Sequence, residues 1–289
     1  MRVLITGASG FIGSHVLKCL QSSKVDVVVV GRIRPVSYLG DFIKADLLGK
    51  SDFNNLMSEA NASHLVHLAW YAEHGSYWSS SLNLRWVDSS VKLAEAFCEA
   101  GGQHIVGAGT CAEYDWSYGY CIEDKTPLIP ATLYGTTKDA TRRLVKALCA
   151  NYNVTCAWGR IFIPYGPGED SRRLIPSLYN VFRLKQPPFA VGSYSFRDLL
   201  HVQDVASGIM SLLTSRAHGE FNICSGIPTQ ISEVINLLAK ARNQDPKIIL
   251  EHSVSRIREP LMVVGENKKL ALLGWSAKHK LADLSKYLE

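Results

Sequence analysis

The sequence has no apolar run that approaches the about 20 residues needed to span a membrane as a helix. Its first residues also lack the charged segment and long apolar segment that mark a signal peptide. Lysines and arginines are scattered rather than gathered into one run, so the net charge of +5, from 31 basic and 26 acidic side chains, does not indicate nucleic-acid binding. We therefore expect a cytoplasmic protein that has neither a membrane nor a nucleic acid as its partner.

The cysteine pattern lacks the spacings of metal sites and of disulfide frameworks. Seven cysteines occur among 289 residues, an odd number, and no two of them form a C-x-x-C pair. The nine histidines are not paired at metal-ligand spacing on an obvious helix either. The sequence therefore predicts free thiols in a reducing compartment and no catalytic metal.

What the sequence does contain is an alternation of short apolar runs with helical patterns. Apolar runs at 2–6, 25–30, 65–69, 104–106 and 154–162 predict strands, and helical periodicity separates them. Strands that alternate with helices predict an α/β fold with a doubly wound parallel sheet, the Rossmann architecture.

After about residue 160 the regular alternation of strand and helix patterns ends. Turn-forming residues and mixed short segments follow. We therefore expect a first domain at 1–160, rejoined by about 197–222, and a smaller C-terminal lobe at 161–196 and 223–289. No linker-like stretch separates them, so the two parts are expected to share one interface.

A glycine-rich turn, TGASGFIG, follows the first strand directly. Gly7, Gly10 and Gly13 form a G-x-x-G-x-x-G pattern that opens the next helix. Glycine lets the backbone approach a pyrophosphate, and the helix start supplies oriented amides and the positive end of a dipole. The turn, with Phe11 and Ile12, therefore predicts that the first domain binds a dinucleotide. A tight turn without a ligand is the alternative interpretation.

The residue type at the end of the second strand indicates whether the site prefers NAD or NADP. A site that prefers NAD usually has an acidic residue there, which accepts hydrogen bonds from the adenosine ribose. This strand ends in Val30-Gly31-Arg32, and a guanidinium can bind the 2′-phosphate that a carboxylate would repel. The sequence therefore favours NADP(H) as the cofactor, unless Arg32 is a solvated loop cation. Asp46 and Leu47, after the predicted third strand, suit capping of the adenine amino group or an exposed loop.

A tyrosine and a lysine stand four residues apart in the segment Tyr134-Gly135-Thr136-Thr137-Lys138. On a helix this spacing puts both side chains on one face, and an ammonium beside a phenol lowers the pKa of the phenol towards neutrality. Such a tyrosine can donate a proton to a carbonyl oxygen. Thr110 follows a predicted strand, so its hydroxyl is placed to hydrogen-bond the reacting oxygen. A surface helix and a turn cap would explain the same residues without chemistry.

Taken in this order, these segments resemble the extended short-chain dehydrogenase/reductase family of nucleotide-sugar epimerases, dehydratases and reductases. The resemblance covers nearly the whole chain. The matching segments are TGASGFIG (6–13), HLAW (67–70), GTCAEY (109–114), YGTTK (134–138), RIFIPYGPG (160–168), RDLLHVQDV (197–205) and FNICSG (221–226).

The resemblance implies roles for three residues and an assembly state. Tyr134 is the proton donor or acceptor, Lys138 contacts the nicotinamide ribose and tunes the tyrosine, and Thr110 binds the substrate oxygen. A homodimer is implied through the helices around 87–99 and 136–150. Packing of these helices onto the chain's own sheet explains the same periodicity.

The same resemblance implies further contacts. Leu68 and Ala69, in the HLAW segment, belong to the cofactor site, and the smaller lobe binds the substrate. Tyr114 lines the substrate site. Trp70, which begins an aromatic loop after the fourth strand, either contacts the nicotinamide or sugar or packs the loop onto the second lobe. The diphosphate of a sugar nucleotide is bound by two arginines, for each of which a surface ion pair is the alternative: Arg197 and Arg258.

Departures from the family pattern narrow the reaction. In the family's 4,6-dehydratases the threonine is followed by Asp-Glu, whereas Cys111 follows here, which argues against dehydration. Gly168 stands where the epimerase-reductases carry a histidine, and Ile163 and Trp86 replace two asparagines that are usual in the 4-epimerases. Glu113 is either an auxiliary acid or a salt-bridged carboxylate.

The remaining pattern predicts NADPH-dependent reduction of a keto group on a nucleotide-diphosphate sugar, in the first place a 4-keto-6-deoxyhexose. An exchangeable NADP(H) suits net reduction, because an epimerase must keep its dinucleotide through a full redox cycle. Two alternatives stay open. The first is an NAD-dependent nucleotide-sugar 4-epimerase, and the second is a non-catalytic protein that senses NADP(H).

Overall fold

The computed structural model of the chain describes residues 1–255 and 259–287. Helices cover both faces of a large parallel sheet, beside which lies a smaller lobe. In chain order the strands are β1 (Arg2–Thr6), β2 (Asp26–Gly31), β3 (Asp41–Lys44), β4 (His64–His67), β5 (His104–Thr110), β6 (Tyr120–Cys121), β7 (Thr155–Ile161), β8 (Ile163–Tyr165), β9 (Phe196–Arg197), β10 (Leu199–His201), β11 (Gly219–Ile223), β12 (Thr229–Gln230) and β13 (Met262–Gly265).

The α-helices differ widely in length, and short 3-10 turns supplement them. One such 3-10 helix, Cys111–Glu113, directly follows β5, and another forms Leu281–Tyr287. The α-helices are α1 (Phe11–Ser22), α2 (Phe53–Ala60), α3 (Leu82–Glu99), α4 (Leu133–Asn151), α5 (Leu174–Phe182), α6 (Val202–Thr214), α7 (Ile231–Ala241), α8 (Lys247–Leu250) and α9 (Lys268–Ala271).

The large sheet has the strand order β11-β7-β5-β4-β1-β2-β3, and every pair in it is parallel. In β2, Val27 and Val29 pack on the face covered by α1 and α6, whereas Val28 and Val30 pack under α2, α3 and α4. An uninterrupted apolar run is what a strand covered on both faces requires. The predicted doubly wound α/β fold is confirmed.

The strand order reverses between β1 and β4, because β2 and β3 lie on one side of β1 and the later strands lie on the other. In open α/β sheets, ligands bind at such a point, outside the carboxyl ends of the strands. β1 ends at Thr6, β4 at His67 and β5 at Thr110. The glycine turn, the HLAW segment and Thr110 therefore leave the sheet along the same edge.

The smaller lobe contains a two-stranded sheet, β10-β8, and a four-stranded sheet, β12-β9-β13-β6. Strands β9 and β10, at 196–201, belong to these small sheets. The chain rejoins the large sheet from Val202, through α6 and β11, because β9 and β10 already pair within the small sheets. Near the C-terminus, Leu270 and Trp275 pack in the core of the large sheet, where the Trp275 indole donates to Ser207 on α6.

The structure also bears on the classes of site considered above. No helix within 1–255 and 259–287 is long and apolar enough to cross a membrane. In the same residues, no three His, Cys, Asp or Glu side chains are grouped so as to hold a metal ion. All seven cysteines are free thiols, as predicted.

Candidate active site

The glycine turn makes a cradle at the start of α1. Gly7 has a left-handed backbone (φ +72°), and a Cβ built there would lie 2.7 Å from the Ala69 nitrogen. A Cβ on Gly13 would lie 2.0 Å from the Gly7 carbonyl oxygen, so both positions require glycine. Gly10 is the N-cap of α1, and no side chain caps this helix start. The turn thus offers backbone amides at a helix N-terminus, a donor set that fits a pyrophosphate.

A cleft of about 690 Å³ opens above this turn, at the reversal point of the sheet. It runs from the ends of β2 and β3 across the turn to the segment after β4. The length and the glycine cradle suit an extended dinucleotide. The predicted cofactor and substrate residues that line the cleft are Gly7, Gly10, Phe11, Ile12, Gly13, Arg32, Asp46, Leu47, Leu68, Ala69 and Trp70.

Two charged residues line the cleft near the ends of β2 and β3. Arg32 is exposed where β2 ends, at the rim of the cleft. Asp46 lines the wall, but its Oδ1 accepts a hydrogen bond from the Leu48 backbone nitrogen at 3.1 Å. A guanidinium therefore stands where an NAD site usually carries a carboxylate.

Thr110 and Tyr134 meet at the edge of the sheet. Thr110 ends β5, and Tyr134 lies in the first turn of α4, which begins where Thr132 accepts a hydrogen bond from the Gly135 nitrogen. The Tyr134 ring packs edge-on against Tyr77, with 4.9 Å between ring centroids, and against Trp78, with 5.7 Å. Burial raises the pKa of Tyr134, and a hydrogen bond with Thr110 lowers it in part.

Lys138, one turn later on α4, is buried at the same edge of the sheet. Its Nζ donates to the Ala108 carbonyl oxygen at 2.9 Å and lies 3.8 Å from the centroid of the Trp70 ring. Burial lowers the pKa of Lys138 to about 7, against the opposing influence of the Glu113 carboxylate. The ammonium thus contacts Ala108 and Trp70, and the expected effect of Lys138 on the pKa of Tyr134 stays a prediction.

Glu113 forms the buried polar centre behind the site. Its Oε2 accepts from Arg160 Nε at 2.7 Å, and its Oε1 accepts from the Thr110 backbone nitrogen and from Trp158 Nε1, each at 2.9 Å. The side chains of Glu113 and Arg160 are at most 1% exposed. Glu113 is therefore a salt-bridged carboxylate that holds the end of β5 in place.

Arg160 was not singled out from the sequence, although a signal for it exists. It is the penultimate residue of β7, in which every residue from Cys156 to Ile161 is buried. An arginine in such a strand needs a buried acidic partner, because an isolated charge is too costly to remove from water. Glu113 is the acidic residue next to Thr110, so the pair was accessible from the sequence once both strands were recognised.

Tyr114, which the resemblance places in the substrate site, is one of the most deeply buried side chains. Tyr114 is buried beneath the edge of the sheet, and its hydroxyl donates to Asn222 Oδ1 at 2.7 Å. The same hydroxyl accepts from Arg160 Nη1 at 3.1 Å. Tyr114 thus extends the Glu113 network towards β11.

Of the two arginines predicted to bind the substrate diphosphate, the structure describes one. Arg197, on β9, is largely buried and donates from Nη1 to the carbonyl oxygens of Phe196 and Pro260, at 2.8 and 3.0 Å. Its guanidinium also lies 4.0 Å from Glu259 Oε2. It is therefore held by its own lobe, apart from the residues that line the cleft around the glycine turn. Arg258 lies outside the described residues.

A family model describes most of this architecture. The model of the NAD dependent epimerase/dehydratase family matches residues 3–224. The chain belongs to this family. Its relatives in the extended short-chain dehydrogenase/reductase group modify nucleotide sugars, so the resemblance noted in the sequence is confirmed.

Three comparisons illustrate this family membership. The dTDP-6-deoxy-L-talose 4-dehydrogenase (NAD(+)) of Aggregatibacter actinomycetemcomitans is 25% identical over 96% of this chain and 100% of its own length. The GDP-6-deoxy-D-mannose reductase of Pseudomonas aeruginosa is 27% identical over 95% of this chain and 91% of its own. The solved structure of MoeE5 in complex with UDP-glucuronic acid and NAD is 27% identical, with a TM-score of 0.84, over 99% of this chain and 97% of that one.

We predict that breaking the buried ion pair destabilises the protein strongly. In Glu113→Gln, Arg160 keeps a buried charge without its partner, so the free energy of unfolding should fall by about 3–5 kcal/mol in urea denaturation. The control is Asp88→Asn, which removes the exposed partner of Lys92 on α3 and should cost less than about 1 kcal/mol. Equal costs for the two variants would contradict the central role of Glu113.

Proposed function

We propose that the protein catalyses NADPH-dependent reduction of a keto group on a nucleotide-diphosphate sugar. The observation that carries this proposal is the meeting of Thr110, Tyr134 and Lys138 at the edge of the sheet, beside the glycine cradle. Family membership supports a nucleotide sugar as the substrate. The proposed reaction needs no residue beyond those placed at this edge.

Reduction of a ketone requires a hydride and a proton. The dinucleotide supplies the hydride when it is bound. Tyr134 supplies the proton, and burial keeps its phenol protonated until an alkoxide develops beside it. The Thr110 hydroxyl, at the end of β5 beside Tyr134, holds the same oxygen. Cys111 stands where the family's 4,6-dehydratases carry an acidic residue. Burial raises the pKa of this thiol and so keeps it from acting as a base, which argues against dehydration.

A hydrophobic wall beside Tyr134 supports a deoxy sugar as the substrate. Tyr77, Trp78 and Trp116 pack in series against the tyrosine ring, with neighbouring centroids 4.4–6.1 Å apart. A methyl group fits an aromatic surface, whereas a hydroxymethyl group would lose hydrogen bonds to water there. The names of both relatives also refer to 6-deoxy sugars. We therefore propose a 4-keto-6-deoxyhexose as the preferred sugar.

The protein is further proposed to act as a cytoplasmic homodimer. The helices α3 and α4 pack side by side on one face of the sheet, and Leu84 and Leu144 on them are about half exposed, at 57% and 49%. A second copy that covers these leucines would bury them. In Leu144→Asp the charge would sit in that interface, so light scattering should report a monomer, whereas Leu272→Asp, at another exposed leucine, should leave a dimer. A dimer that survives Leu144→Asp would contradict this interface.

Replacement of Tyr134 tests the proposed proton donor. In Tyr134→Phe, reduction of the keto sugar by NADPH should fall by about 100- to 10,000-fold, because the general acid is lost. Affinity for NADPH, measured by fluorescence titration, should stay unchanged. Tyr152→Phe is the matched control, since Tyr152 lies at the far end of α4. Turnover by Tyr134→Phe at the wild-type rate would refute the assigned role.

Replacement of Arg32 tests the proposed cofactor. In Arg32→Ala the dissociation constant of NADPH should rise about tenfold, because a charge-assisted bond to the 2′-phosphate is lost, while that of NADH should not change. Arg34→Ala is the control, because Arg34 donates to the Gly40 carbonyl oxygen within the same loop. Equal effects on both dinucleotides would exclude Arg32 as the phosphate ligand.

The dinucleotide released from denatured protein separates the main alternatives. A reductase should release little cofactor and should rebind NADPH in preference to NADH. Near-stoichiometric NAD in the supernatant would instead indicate an internal redox cycle, as in a 4-epimerase. If the protein binds NADP(H) but reduces no keto sugar, the result would indicate a non-catalytic protein that senses NADP(H).

A further inference from the structure

Trp70 covers the ammonium group of Lys138 with the face of its indole. The ring centroid lies 3.8 Å from Lys138 Nζ, within the distance at which a cation is attracted to an aromatic face. The other polar contact of this ammonium is the Ala108 carbonyl oxygen at 2.9 Å. Both contacts favour the charged form of the lysine, because a carbonyl oxygen accepts from the ammonium and an indole face attracts a positive charge.

The orientation of Trp70 is fixed from the side opposite the lysine. Its Nε1 donates to Asn83 Oδ1 at 2.8 Å, and Asn83 is fully buried at the start of α3. The amide nitrogen of Asn83 in turn donates to the Tyr77 and Ser80 carbonyl oxygens, at 2.7 and 2.9 Å. Trp86, one turn later on α3, stacks on the indole, with 6.0 Å between ring centroids. The loop after β4 is thereby fastened so that the indole face meets Lys138.

The surroundings of Lys138 otherwise contain few charges. Glu113, in the 3-10 turn after β5, favours the ammonium, whereas burial disfavours it. His67, at the end of β4, is buried with a pKa of about 3, so it is neutral at the pH values of interest. Tyr134, one turn earlier on the same helix, is protonated there because burial raises its pKa. Arg160 is neutralised by Glu113. The indole is thus one of few groups that offset the cost of burying this charge.

We propose that Trp70 is a positioning residue that keeps Lys138 in the cationic form through its indole face. This role differs from direct contact with the sugar, and it rests on the proposed function only in that Lys138 needs its charge to support Tyr134. It also explains why a large aromatic residue stands directly after the cofactor-lining segment Leu68-Ala69.

The test measures the ionisation of Lys138 directly, by NMR on protein labelled with ¹³C at the ε-carbon of lysine. Lys138→Met identifies the resonance by its loss. In Trp70→Leu the pKa of Lys138 should fall by about one unit relative to the wild-type protein, and in Trp70→Phe by less, because a benzene ring attracts a cation more weakly than indole does. A folded Trp70→Leu variant in which the pKa of Lys138 is unchanged would overturn the proposal.

Fluorinated tryptophan provides a test that nearly preserves the shape of the protein. Replacing the six tryptophans by 5-fluoro- and 5,7-difluorotryptophan should lower the pKa of Lys138 stepwise, because fluorine withdraws electron density from the ring face. The same substitution in Trp70→Phe should leave the pKa unaffected. A stepwise fall in both backgrounds would assign the effect to another tryptophan and overturn the proposal.

The NMR measurements do not depend on turnover, so failure of this inference and failure of the proposed function can be told apart. If both hold, the rate of keto-sugar reduction should fall with rising pH at a lower pH in Trp70→Leu than in the wild-type enzyme, following the pKa of Lys138. A loss of rate that is equal at all pH values, with the NMR titration unmoved, would mean that Trp70 serves only to pack the loop.

Discussion

The buried ion pair between Glu113 and Arg160 is the interaction on which the rest of the site depends. One carboxylate binds the guanidinium from β7, the indole of Trp158 and the backbone nitrogen of Thr110. It therefore joins two neighbouring strands at the point where Thr110 leaves the sheet. A buried pair of this kind adds little net stability compared with an apolar pair, but removal of either partner is costly, because the other charge then remains unpaired. The pair thus enforces one arrangement of the catalytic edge.

The same carboxylate influences the ionisation of the residues in front of it. Lys138 experiences burial, which favours the neutral amine, and Glu113 and Trp70, which favour the ammonium. Burial, opposed by the Glu113 carboxylate, lowers the pKa of Lys138 to about 7. Tyr134 is buried too, yet for a phenol burial favours the protonated form. A low-dielectric site therefore maintains a neutral acid and holds a cation near its titration midpoint, so small changes around Lys138 alter its charge.

Features that depend on residues close together in the sequence could be predicted. Features that depend on residues far apart in the sequence could not. The glycine turn, the strand that precedes it and the Tyr134–Lys138 spacing depend on neighbours within one turn or one strand, and the structure places them as predicted. The burial of Tyr114 was not predicted, because its hydroxyl binds Asn222, 108 residues later. The direction of the Lys138 ammonium likewise depends on Ala108 and on Trp70, and the limits of the smaller lobe depend on strand pairing across the chain.

The residues at the edge of the sheet do not themselves choose between reduction and epimerisation, since Tyr134 can donate a proton in one direction and accept it in the other. The choice lies in how long the dinucleotide stays bound. At the glycine turn the backbone is exposed to the cleft without side chains, because Gly7 and Gly13 have no room for a Cβ against the neighbouring backbone. At the adenosine end the available ligand is Arg32, an exposed cation whose attraction for a phosphate is weakened by water and salt. A dinucleotide that is held firmly at its centre and loosely at its end can exchange between turnovers, and exchange is what a net reduction requires.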